Sequence, residues 1–448
     1  MGKSDNQGAN RLNILMFTNT YCPIVGGVSE SVKRLKSRLQ ALGHQVLVVA
    51  PKMTGQPRHE SDVIRVAAVQ HFNGSDFSLP VPIPGQLYEA IETFDPDIVH
   101  SHHPFLLGDT AARTAETYGL PLVFTHHTLY EHYTHYVPGD SPRMQRFAVA
   151  LSTEYTHLCD AVIAPSESIR DLLRRRGANP AVHVVPSGVD TQRFSQGDGA
   201  GFRRRYKIPA KAYVVGHVGR LANEKNLPFL TEAIVQLLRK QPETHFLVVG
   251  EGDARPAMQR AATEASVVER FHFTGKLHGQ TLIDAYHGMN VFAFASHSET
   301  QGMVLVEAMA AGLPVAAIDA PGVREVVEQG RNGWLLPSDD AGALCEVLAG
   351  MSEKASREML RQGALNTAQG FDEACCAARC LDVYREVIAT ENTTHQHVDT
   401  DAWGRVRGRL EAEWQLLCHR GRVLRLVFQD KPESDLLAPS KTPETFRK

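Results

Sequence analysis

Short, unbroken apolar runs recur along this chain with amphipathic stretches between them, and the series runs through twice. The first set covers residues 13–18, 45–50, 97–100, 122–125 and 161–164; the second covers 213–217, 245–249, 271–274, 291–295 and 315–318. Helical patterns separate them, as at 29–42, where Val32, Leu35, Leu39 and Leu42 share one face. Continuously apolar strands alternating with helices predict parallel sheets covered on both faces. The 448 residues suffice for two such α/β domains, each Rossmann-like.

The expected order is a polar segment over 1–10, a first domain over 11–195 and a linker over 196–210. A second domain follows over 211–370, then a helix over 371–390 that crosses back to the first domain. The linker is placed where a glycine-rich stretch precedes Arg203, Arg204, Arg205 and Pro209. The tail, 391–448, reads as partly helical and partly disordered. Trp403, Val406, Leu410, Trp414 and Leu417 recur there at spacings of three and four beside six arginines between 405 and 425. That stripe suits either an anionic membrane surface or docking onto the protein itself, and the second is favoured.

Hydrophobic residues make up 43% and charged residues 22%, the balance of a soluble globular chain. A formal net charge of −3 argues against a globally basic nucleic-acid binder. Seven cysteines, with no pair of CxxC motifs, fit reduced thiols in a cytoplasmic setting better than a disulfide framework. No basic start leads into an apolar signal core, and no run reaches the ~20 apolar residues of a span. Membrane contact is therefore expected to be peripheral, on the inner face.

Chemistry concentrates in Glu299-Thr-Gln-Gly302-Met303-Val304-Leu-Val-Glu307, which follows a strand and opens a helix. Gly302 permits close backbone approach, and the unpaired N–H groups of Met303 and Val304 form an anion site suited to a diphosphate. Glu299 and Glu307 can then address sugar and ribose hydroxyls from one side of the phosphates. Arg220 and Lys225, at the first strand–helix turn of the second domain, can neutralise a departing diphosphate. Gly26 and Gly27 form a further strand-to-helix turn, although this is no GxGxxG fingerprint. Histidines 100, 102, 103, 126, 127, 132 and 135 cluster without acids or thiols arranged as a ligand set, so hydrogen bonding is expected rather than metal. Asp95-Pro96-Asp97 spells a DxD triplet but reads as a structural turn.

The Glu-x7-Glu segment, with HVGRLANEKNL (217–227), VVGEGD (248–253), VVPSGVD (184–190) and PGVREVVEQGRNGWLL (321–336), resembles the retaining GT-B glycosyltransferases of family 4. The similarity runs from about 12 to 390, and it implies that the two Rossmann-like domains set their parallel sheets facing across a cleft. It implies a hexosyltransferase using a nucleotide diphosphate sugar, UDP-glucose or similar, as co-substrate without a metal cofactor. It further implies that Glu299 contacts the donor sugar, Glu307 the ribose, and Arg220 and Lys225 the diphosphate. The loop of Gly26 and Gly27 lies beside donor phosphates and acceptor, and His127 hydrogen-bonds the reacting sugar while organising the acceptor. Residues 127–136, HTLYEHYTHY, resemble the diacylglycerol glucosyltransferases of that family. They suggest Tyr130, Glu131 and Tyr133 as acceptor contacts, with a packed loop as the equal alternative. A membrane glycerolipid is then the expected acceptor and a soluble sugar or sugar phosphate the alternative. A GT-B sugar-nucleotide epimerase and an inactive binding protein are the rival classes; oligomeric state stays open. Helix 29–42 adds Lys33, Arg34, Lys36 and Arg38 as an expected basic face.

Overall fold

The computed structural model describes residues 11–24, 26–69, 79–80, 84–136, 141–394 and 402–428. The polar segment 1–10, most of the stretch 391–400 and residues 429–448 lie outside the described residues. The chain divides into two compact units, Met1–Val185 with Ala377–Lys448, and Pro186–Cys376.

The first unit carries β1 (Asn13–Phe17), β2 (Gln45–Pro51), β3 (Val63–Val66), β4 (Ala68–Val69), β5 (Leu79–Pro80), β6 (Ile98–Ser101), β7 (Leu122–Thr125), β8 (Ala161–Ala164) and β9 (Ala181–Val184). Seven of these form one parallel sheet in the order β3-β2-β1-β6-β7-β8-β9, while β4 and β5 pair antiparallel. Successive residues of β1 feed opposite faces, as the pleat requires. Leu15 and Phe17 enter one core with Val99 and Phe124, and Ile14 and Met16 enter another with Val48 and Val123.

The second unit repeats the plan with β10 (Tyr213–Val218), β11 (Thr244–Val249), β12 (Phe271–Gly275), β13 (Val291–Phe294), β14 (Val315–Ile318) and β15 (Gly333–Leu336). The order is β12-β11-β10-β13-β14-β15, all parallel. In both sheets the winding reverses beside the first strand, between β1 and β6 and between β10 and β13. Ligands of open α/β sheets bind beyond the carboxyl ends of the strands at such a reversal.

The segment expected as a linker is packed structure. Asp198 caps the helix Gly199–Arg205 by accepting from the Gly201 amide at 2.7 Å, and Phe202 is buried in the second core. The Arg203 guanidinium, read as a linker charge, donates to the Gly288 carbonyl and to Asn290 Oδ1. The division falls at Val185/Pro186 instead. The helix Glu373–Thr394 starts in the second unit, and Cys380, Leu381, Val383, Tyr384 and Val387 complete a core of the first.

The basic face expected on the first helix, Gly27–Ala41, is only partly available. Lys36 is buried and pairs with Asp62 at 2.8 Å, and Arg34 lies 3.9 Å from Glu30. Asp97 of the DxD triplet accepts from the Asn13 amide at 2.6 Å, and Asp95 sits at φ 50°, so the triplet holds a turn at the foot of β1.

Candidate active site

In the second unit the candidate residues gather at the sheet's reversal. The loop after β10 carries Arg220 and Lys225, and the loop after β13 carries Glu299 and Gly302. Lys225 Nζ donates to Glu299 Oε1, and Arg220 pairs with Glu224. The two loops are also stitched together by Ser296 and Ser298, whose hydroxyls donate to the Glu224 carbonyl at 3.3 and 3.4 Å.

Gly302 takes a left-handed φ of 71° and starts the helix Met303–Ala310. The Leu305 amide donates back to the Gly302 carbonyl at 2.9 Å, and the amides of Met303 and Val304 stand ahead of this first bond, in the turn where a helix leaves its N–H groups without intrahelical acceptors. Glu307 follows about one turn on, largely buried, and its carboxylate accepts from the Tyr286 hydroxyl at 3.0 Å. That bond fixes one oxygen of the carboxylate through a fully buried phenol.

Several supporting residues carried no separable sequence signal. The Gln301 amide spans the Ser187 backbone, accepting from its N–H at 2.6 Å and donating to its carbonyl at 2.8 Å. His217, at the end of β10, sits 3.2 Å from the Ala293 carbonyl through Nδ1, while its Nε2 is buried with no hydrogen-bond partner among the described residues. Burial lowers its pKa to about 4. Gly322 has φ 75°, and a Cβ there would lie 2.8 Å from Glu299 O, Gln301 N and Thr300 C. Gly322→Ala is accordingly expected to cost about 1–2 kcal/mol from its left-handed backbone and to displace the Glu299 turn as well. Thermal unfolding and titration with nucleotide diphosphate check this together; a destabilised protein with unchanged nucleotide affinity would separate the turn from binding.

The first unit holds the histidines. His127 follows β7, and its Nε2 lies 3.0 Å from His102 Nδ1, the rings stacked at 5.2 Å. His100 bridges the Tyr384 hydroxyl and Thr125 Oγ1, both at 2.7 Å. Burial, reinforced by neighbouring imidazoles, holds His102 and His127 well below the usual imidazole pKa, so both are neutral. His126 is fully buried, and neither ring nitrogen has a hydrogen-bond partner among the described residues. The side chain of His135 lies outside the described ones. Gly26 is extended and Gly27 opens the first helix, with open space where either Cβ would stand.

The loop expected to contact the acceptor divides. Glu131 is not available to a ligand: it pairs with Arg176 at 2.5 Å, each side chain only 5% exposed. The attraction of Arg176 holds its carboxyl below the usual range against the opposing effect of burial, which is the larger single influence upward. Tyr130 packs edge-on against Phe105 and His126 with its hydroxyl buried. Both therefore shape the loop from beneath. Tyr133 is half-buried and His132 exposed.

The chain matches the model described as Glycosyltransferase Family 4 over residues 25–193 and that described as Glycosyl transferases group 1 over residues 212–353. It is 34% identical to a GDP-mannose-dependent alpha-mannosyltransferase of Mycobacterium tuberculosis, covering 73% of this chain and 84% of that one. It is 27% identical to an alpha-monoglucosyldiacylglycerol synthase of Streptococcus pneumoniae, covering 86% and 90%. Its backbone resembles sucrose-phosphate synthase from Thermosynechococcus elongatus with a TM-score of 0.68 at 22% identity, covering 84% of this chain and 99% of that one, a likeness of GT-B fold.

Proposed function

The chain belongs to glycosyltransferase family 4, a hexosyltransferase with a nucleotide-sugar donor, and from that premise we propose that it transfers glucose from UDP-glucose to a membrane glycerolipid with retention of anomeric configuration. The observation that carries the donor half is the contact of Lys225 with Glu299 beside the N-terminus of Met303–Ala310. Cation, carboxylate and two backbone donors there meet the needs of a diphosphate next to a sugar. Lys225 and Arg220 stabilise the departing diphosphate, Glu299 holds sugar hydroxyls and Glu307 the ribose.

In retention the acceptor oxygen attacks from the leaving-group face, and the departing phosphate takes its proton. No covalent carboxylate is required, which suits a Glu299 already neutralised by Lys225. The cations do the work a metal would do, so the reaction is proposed to be metal-independent.

The lipid acceptor is supported by the kinship to a glucosyldiacylglycerol synthase and by the aromatic loop after His127. A GDP-mannose donor is the second reading, favoured by the 34% identity to a mannosyltransferase so named. Thermal shift with UDP-glucose and GDP-mannose, each in excess EDTA, tests donor and metal at once, because a ligand of the native state raises its apparent stability. UDP-glucose is expected to give the larger shift, unaffected by chelation. Glu307→Ala is expected to weaken binding of UDP itself by roughly tenfold, the scale of a charged hydrogen bond. Unchanged affinity removes the ribose role, and a larger shift with GDP-mannose replaces the donor.

A further inference from the structure

The helix Ala402–Phe428 is apolar on two nearly opposite faces. The inward face consists of Gly408, Ala412, Leu416, His419 and Val423. A Cβ on Gly408 would meet the Glu116 carbonyl at 2.8 Å, and the other four are almost fully buried. Ion pairs hold the helix along the helices Leu107–Tyr118 and Pro142–Tyr155: Arg113–Glu413, Arg420–Asp109 and Arg422–Glu154.

The large apolar residues point the other way. Leu410 and Trp414 are each 68% exposed, Leu417 59% and Leu424 52%. At about 100° per residue these four fall within an arc of roughly 80°, forming one continuous ridge. The sequence alone favoured docking onto the protein through this stripe; the helix docks through the opposite face instead. The side chains of Trp403 and Val406 lie outside the described ones.

We propose that this ridge seats the protein on an anionic lipid surface. The helix carries six arginines against two glutamates, a net charge of +4. That charge attracts acidic headgroups and opposes stacking against a second copy of itself. Two of the arginines are answered by Asp109 and Glu154, yet Arg420 and Arg422 keep 54% and 44% of their side chains exposed. A tryptophan amid leucines, bordered by guanidinium groups, is the composition of a helix lying in the headgroup layer. The helix runs antiparallel to Leu107–Tyr118, from Glu116 at its Gly408 end to Asp109 at its Arg420 end. Its far end therefore approaches the start of the helix that follows His102 and His103. Seating there brings the histidine-bearing loops toward the surface, a purpose that rests on the lipid-acceptor reading.

The test uses the full-length protein and sedimentation with phosphatidylcholine vesicles, with and without phosphatidylglycerol. Wild type is expected to co-sediment when phosphatidylglycerol is present and to be released by salt. Trp414→Glu/Leu417→Glu is expected to bind roughly tenfold or more weakly, from loss of two buried apolar side chains, with unchanged thermal unfolding. Trp414→Phe should retain binding. Undiminished binding by the double variant overturns the proposal, as does a wild-type dimer that the variant dissolves without any vesicle binding. Transfer to detergent-dispersed diacylglycerol is measured in parallel. Transfer with ridge-independent binding sinks the ridge alone, whereas ridge-dependent binding without transfer to any lipid sinks the acceptor reading alone.

Discussion

Replacing His127 by alanine is expected to lower turnover by roughly 10²-fold or more, the scale of a positioned polar group at a reacting centre. Affinity for the donor nucleotide is expected to stay unchanged, because the side chains proposed to hold ribose and diphosphate, Glu307, Arg220 and Lys225, lie in the other unit. His127 leaves the end of β7 and is oriented by His102 at 3.0 Å, and the surrounding imidazoles and burial keep it neutral. A neutral ring can offer a directed hydrogen bond to a sugar hydroxyl without placing a charge beside an oxocarbenium-like centre. Comparing kcat with donor KM in the variant separates this role from a structural one. Full activity in a folded His127→Ala protein would remove His127 from the mechanism.

The second large effect is acid lability of the first unit. His100 and His103 are depressed to about 3 and His126 to about 4, each by burial. The Asn19 amide donates to His103 Nδ1 at 3.1 Å, a bond that protonation of that nitrogen abolishes. A folded pKa below the unfolded value of ~6.5 means that the unfolded chain binds protons first. The stability contributed by these neutral rings is whole above pH ~6.5 and declines as pH falls toward 4 and then 3. At pH 5 each ring accounts for a loss of about 2 kcal/mol, which is large for a domain stable by about 5–15 kcal/mol. Thermal unfolding should therefore drop steeply between pH 6.5 and pH 5. His126→Leu should flatten that limb by one ring's share, since neither ring nitrogen has a hydrogen-bond partner among the described residues. A profile flat to pH 5, or unaltered in the variant, would contradict this account.

Much of the architecture was legible because a parallel sheet writes itself as continuous apolar runs. β1, β2, β7, β8, β10, β11 and β14 lie where such runs stand. The edge strands β3, β9 and β15 were not separable, since half-exposed four-residue strands lack that continuity. The turn of the Glu299 to Glu307 segment, with a helix opening after Gly302, was readable from that glycine and its spacing. Tyr286, Gln301, His217 and Gly322 were not, because their importance comes from neighbours far away in sequence. Glu131 shows the opposite failure. A carboxylate among tyrosines and histidines reads as a ligand contact, and only the position of Arg176, 45 residues on, turns it inward. The helix Ala402–Phe428 was misassigned by face because apolar spacing identifies stripes but not which one is buried. Here the buried face mixes Gly408 and Ala412, which permit close backbone approach, with Leu416 and Val423, while Leu410, Trp414 and Leu417 stay outside.

The return of the chain into its first unit has a consequence for biosynthesis. Tyr384 supplies the hydroxyl that meets His100, and Leu381, Val383 and Val387 close the core over Ile14, Met16 and Val123. A nascent polypeptide emerging from the ribosome therefore holds an unfinished first unit while all of Pro186–Cys376 is translated. At typical elongation rates that interval is roughly 10–40 s. During it, the face of the sheet that residues 380–387 later cover stays open to water and to chaperones. The second unit, contiguous in the chain, can complete its own core first, while the part synthesised earliest waits for segments made after it, residues 380–387 and then Leu416.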